Sequence, residues 1–148
     1  MYKHILIATD GSELADRALD HGLALAKKVN AAVTVVTVTE QWSPFDMAHK
    51  VREGISEPTR QFEKIAAESA AAILSSAEQH AKQAGVNCDR VHIPDQNPAD
   101  GIVAIAESKK CDLIVMASHG RRAVKRLLLG SHVSEVLARS SVPALVVR

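Results

Sequence analysis

Aromatic side chains make up 3% of this sequence, one tryptophan, one tyrosine and two phenylalanines in 148 residues. A chain so poor in flat rings lacks the stacking platforms on which proteins hold single-stranded nucleic acid. Charge of one sign is missing as well: the formal net charge is +1, so neither a strongly basic nucleic-acid binder nor an acidic tail is expected. Cysteine occurs twice, as Cys88 and Cys111, each within or beside an apolar segment. They read as buried free thiols of a reducing compartment rather than as a disulfide. Cys88 and His92 lie four apart in an extended segment, about 13 Å, and cannot share a zinc ion. No apolar run approaches the ~18 residues of a membrane span, and the opening MYKHILIATDGS has no signal-type apolar stretch. The expectation is a cytoplasmic protein with no membrane and no nucleic-acid partner. Both standard phosphate loops are absent: there is no GxxxxGK[ST], and no GxGxxG follows the first apolar run.

What is present is an alternation of strand and helix signals along one domain, residues 1–148. With 47% hydrophobic residues the chain can bury roughly two-thirds of its unfolded surface in a single core. Lys3–Ala8 is a β-branched run, and Gly11-Ser12 separates it from a helical stripe of Ala15, Ala18, Leu19 and Ala26. Ala32–Thr39 and Cys88–Ile93 read as further strands. Between them the longest helical pattern runs from Pro58 to Ala84, with Phe62, Ile65, Ala66, Ile73, Ala77 and Ala84 on one face and Gly85 as its stop. Asn97-Pro98 caps a helix that turns Ile102, Ile105 and Ala106 inward. Asp112–Ala117 is a fourth strand, Ser131–Ser140 a last helix and Val142–Val147 a last strand. The connection from Glu40 to about Glu57 shows no clear period; it carries Trp42 and reads as a lid or mobile loop. Five strands alternating with four helices predict an α/β, doubly wound parallel sheet.

In such sheets ligands bind beyond the carboxyl ends of the strands. Two segments would meet there if the first and fourth strands are neighbours: Ala8-Thr9-Asp10-Gly11-Ser12 and VMASHGRRAVKRLLLGS, residues 115–131. The second places Arg121, Arg122, Lys125 and Arg126 between Gly120 and Gly130-Ser131. Bare backbone N–H groups, a helix N-terminus and nearby cations suit an anion, with phosphate the natural candidate. Asp10 fits a turn-forming or capping role and equally a hydrogen-bonding or Mg²⁺-linked role at the site. His119 fits a passive place in the binding loop, since no carboxylate is close in sequence to orient it. A phosphoacceptor reading of Asp10 would need an acidic pair after the first strand and a lysine ending the fifth, where this chain has Arg148.

The pattern ASHG, nine residues, then GS, together with ILIATDGSE, DLIVMASHG and SVPALVVR, resembles the ATP-binding branch of the universal stress protein family over essentially the whole chain. That family's motif is G-x2-G-x9-G-[ST], and Ala117-x2-Gly120-x9-Gly130-Ser131 matches three of its four positions. The resemblance implies a Rossmann-like sheet of order 3-2-1-4-5, ATP accompanied by Mg²⁺ in the cleft between the first and fourth strands, and a homodimer. It implies that Ala8, Thr9 and Asp10 line the cleft floor, that Val38 and Met116 flank adenine, and that Ser118, His119, Gly120, Gly130, Ser131 and Val133 hold ribose and phosphates. Ala117 adds a methyl where the family has glycine, and His132 has no clear counterpart. The fifth strand, VPALVV, would lie at a sheet edge and invite a second chain. The functional expectation is an ATP-binding, stress-linked regulatory protein with an unknown protein partner. A slow ATPase or phosphotransferase, or a dimer module that binds no nucleotide, are the alternatives.

Overall fold

In the computed structural model the described residues are 1–41, 44–120 and 129–148, with the side chain of Asp46 excepted. The strands are β1 (His4–Ala8), β2 (Ala32–Val38), β3 (Cys88–Ile93), β4 (Leu113–Ala117) and β5 (Ala144–Val147). The helices are α1 (Glu13–Val29), α2 (Pro44–Arg52), α3 (Pro58–Ala84), α4 (Pro98–Ser108) and α5 (Ser131–Arg139). All strand pairs are parallel, and the order is β3-β2-β1-β4-β5. This is the doubly wound sheet expected from the alternating pattern and the order implied by the resemblance.

The starts of α1 and α4 are capped by side chains. Ser12 adopts an extended conformation, and its Oγ accepts the N–H of Ala15 at 3.2 Å, capping α1. Asn97 Oδ1 accepts the N–H groups of Ala99 and Asp100, and Pro98 sits at the first turn, where its missing N–H has no cost. Asp112 ties the starts of β1 and β4 together by accepting the N–H groups of Lys3 and His4. Burial opposes ionisation of Asp112, but those two donors, with its own N–H and the nearby His4, together hold its carboxyl below the usual range.

Two apolar layers flank the sheet. On one side Ile5, Ile7, Val33, Val35 and Val115 pack under Ala18, Leu19, Leu23 and Ala26 of α1 and Leu74, Ala77 and Ala81 of α3. On the other, Leu6, Val36, Ile114 and Met116 pack under Ala99, Ile102 and Ala106 of α4 and Val133 and Val136 of α5. Successive strand residues face opposite layers, so runs such as ILIA and LIVMA are apolar throughout.

Two expectations are corrected. Residues 44–52, expected to be part of an irregular loop, form helix α2. Met47 is its one fully buried apolar residue among those described, too little to leave a periodic signature. The buried stripe of α3 is Ala70, Leu74, Ala77 and Ala81, whereas Ile65 is 55% exposed and Phe62 half-buried. A helix of 27 residues is about 40 Å long, while the seven residues of β2 span about 23 Å. The first turns of α3 therefore overhang the sheet. Trp42 lies outside the described residues, as do Arg121, Arg122, Lys125 and Arg126.

Candidate functional site

The carboxyl ends of β1 and β4, adjacent strands at the centre of the sheet, bring together the two segments singled out in the sequence. After β1 the chain is braced by its own side chains. Thr9 donates its N–H to Val36 O at 3.0 Å, Thr9 Oγ1 accepts the Gly11 N–H, and Asp10 Oδ1 accepts the Ser12 N–H at 2.9 Å. Thr9 and one oxygen of Asp10 thus shape the turn into α1. The other carboxylate oxygen of Asp10 faces the segment after β4: a Cβ built on Gly120 would lie 2.7 Å from Asp10 Oδ2. A side chain at 120 would have to displace this carboxylate.

After β4, Ser118 is buried and donates its N–H to Val147 O at 2.7 Å, and its hydroxyl lies 3.2 Å from His119 Nδ1. Gly130 folds back onto this segment, its N–H donating to Ser118 O at 2.6 Å. A Cβ there would stand 3.1 Å from His119 Cα and 3.3 Å from Ser118 O, so the second motif glycine is also a point of backbone contact. The expectation that Gly130 itself offers an N–H to an anion is therefore corrected, because Ser118 occupies it. The donors left for an anion are those of Ser131, His132 and Val133. They precede the first helical bond, Ser134 N–H to Gly130 O at 3.1 Å, and have no acceptor within the helix.

The remaining candidates divide by layer. Ala8, Val38, Met116 and Val133 all belong to the α4/α5 layer, which places an apolar wall beside the crevice. Met116 and Val133 are core side chains there, so Val133 can serve a ligand through its backbone N–H only. Ala117 turns the other way: its methyl packs in the α1/α3 layer with Ile7, Ala18, Val115 and Val147. The methyl that departs from the family motif is directed into the core rather than into the crevice. Ser131 is exposed at the first turn of α5, and His132 Nε2 meets Glu40 Oε1 at 3.1 Å. Glu40 was not a sequence candidate, and a pair 92 residues apart leaves no local signal.

Among the described residues, no group of three or more His, Cys, Asp and Glu side chains is placed to hold a metal ion. Burial pushes both the Cys88 and Cys111 thiols up, so neither is a ready nucleophile. No described helix is long and apolar enough to cross a membrane. A groove of about 520 Å³ at the opposite end of the sheet is lined by Lys27, Asn30, Gly85 and Cys88. It collects the carbonyl ends of α1 and α3, whose dipoles repel anions.

The family model described as "Universal stress protein family" matches residues 1–148. Universal stress protein MJ0531 of Methanocaldococcus jannaschii is 34% identical over 148 residues, covering all of this chain and 83% of that protein. Universal stress protein YxiE of Bacillus subtilis is 29% identical over 153 residues and covers both chains fully. Among solved structures, hypothetical protein MJ0577, from the same M. jannaschii, aligns with a TM-score of 0.80 at 30% identity, over 99% of this chain and 96% of that one. A universal stress protein in complex with cAMP aligns with a TM-score of 0.70 at 26% identity, over 99% and 97%. The crevice between β1 and β4 is thus found in a chain that belongs to the universal stress protein family.

Proposed function

We propose that this protein binds an adenine nucleotide, ATP in the first instance, in the crevice beyond β1 and β4, and acts as a stress-linked regulator through the bound state. The observation that carries the reading is the pair of glycine contacts. A Cβ at Gly120 would displace the Asp10 carboxylate and one at Gly130 would press on the His119 and Ser118 backbone, so both motif glycines sit where the loops after β1 and β4 and the start of α5 converge. The related protein in complex with cAMP supports an adenine nucleotide as the ligand class.

In this reading Val38 and the backbone of Met116 border the base, and Ala8, Thr9 and Asp10 form the floor. Ser118, His119 and Gly120 lie along the ribose and phosphates, and the N–H groups of Ser131, His132 and Val133 hold phosphate oxygens. Backbone donors at a helix N-terminus bind anions without demanding a particular sequence elsewhere. Asp10 would meet Mg²⁺ carried by the phosphates, and Arg121 and Arg122 would add positive charge. In this reading ATP supplies a readable ligand state rather than a reaction. A homodimer through β5 and a cytoplasmic setting belong to the same proposal, as does an unidentified regulatory partner. Calorimetric titration of the purified protein with Mg-ATP tests it: saturable binding tighter than millimolar is expected. Absence of binding in folded protein would favour the nucleotide-free dimer module.

A further inference from the structure

Glu40 and His132 face each other across the crevice, 3.1 Å apart between Oε1 and Nε2. The backbone next to Glu40 is fixed on both sides of Thr39, whose N–H donates to Ile93 O at 2.9 Å and whose carbonyl accepts the Gln96 N–H at 3.1 Å. His132 is the second residue of α5, in the turn whose N–H groups have no helical acceptor. In the sheet β1 lies between β2 and β4, so the pair joins segments that follow the two strands on either side of β1. Only a donor nitrogen satisfies a carboxylate, so Nε2 carries the hydrogen, and in the neutral ring Nδ1 is bare. His132 Nδ1 is indeed buried without a hydrogen-bond partner.

A helix N-terminus favours an anion, and Glu40 already supplies one at this turn. A phosphate drawn to the same place meets a like charge and a donor in use. Resting on the nucleotide reading above, we propose that Glu40 is an internal competitor of the ligand's phosphate. The carboxylate holds His132 in the ligand-free protein, and binding exchanges it for a phosphate oxygen on the same N–H. No proton moves in the exchange; one acceptor replaces another. Glu40 then sets the threshold concentration at which the crevice fills, which makes it a regulatory residue rather than a ligand contact.

The test is a double-mutant cycle read by calorimetry with Mg-ATP at low salt, using the full chain as wild type, Glu40→Gln, His132→Gln and the double variant, each checked for fold by circular dichroism. Glu40→Gln should tighten ATP by roughly two- to tenfold, the scale of a partly exposed ion pair. His132→Gln should weaken it, and Glu40→Gln should have no further effect once His132 is gone. Equal or weaker affinity in Glu40→Gln would overturn the exchange, and so would the same tightening with and without His132, which would mark a general charge effect. If wild type and Glu40→Gln both fold yet neither binds ATP, the nucleotide reading itself falls and the exchange falls with it. If wild type binds and Glu40→Gln binds no tighter, only the exchange falls.

Discussion

Ala117 and Gly130 show how differently two motif positions behave. The Ala117 methyl lies in the α1/α3 layer, so Ala117→Gly should leave ATP affinity unchanged while lowering stability by about 1 kcal/mol through lost packing and added backbone freedom. Urea denaturation beside a calorimetric titration separates the two effects, and a tighter complex in the glycine variant would place the methyl at the ligand instead. Gly130→Val acts through backbone. A side chain would press on His119 Cα and Ser118 O, main-chain atoms that cannot rotate away. The expected result is loss of ATP binding at any salt concentration, with a far-UV spectrum like that of wild type. Binding that survived the valine would show that the 118–120 segment yields without consequence.

At the scale of elements, the parts of the fold legible in sequence are those with a one-sided or two-sided burial signal. Strands β1 and β4 are apolar on successive residues because helices cover both faces, and Ser12, Asn97 and Gly85 mark helix ends through chemistry confined to a few residues. Helix α2 was not legible, since Met47 is its one fully buried anchor among the described residues. The buried face of α3 is not legible either, because its first turns overhang the sheet, where an isoleucine such as Ile65 can remain exposed. At the site, the glycine positions were legible and their reasons were not. The contacts of Gly120 with Asp10 and of Glu40 with His132 exist only after β1, β2 and β4 align. The difference between outlying and central helices is measurable. Met47→Ala should speed hydrogen exchange across 44–52 and shift global stability little, whereas Leu23→Ala, on the buried face of α1, should cost about 2–5 kcal/mol. A global loss of that size from Met47→Ala would mean that α2 belongs to the cooperative core.

The two edges of the sheet set the expectation for the whole molecule. The outer edge at β3 carries Asp89 and Arg90, paired with Lys109 and Glu78, and charge of this kind discourages a second strand. The edge at β5 is ALVV, with Leu145 38% exposed. A self-complementary pairing of two such edges is the expected homodimer. Light scattering at micromolar concentration should give about twice the chain mass of 15.9 kDa, and a species at 15.9 kDa would exclude it. The central claim, a crevice shaped by Gly120 and Gly130 to hold an adenine nucleotide, is tested most directly on protein purified gently without added ligand. Heat denaturation followed by mass spectrometry of the released small molecules should detect ATP in near-stoichiometric amount from wild type and none from Gly130→Val. The absence of any adenine nucleotide from wild type, together with no affinity for added ATP below millimolar, would contradict it.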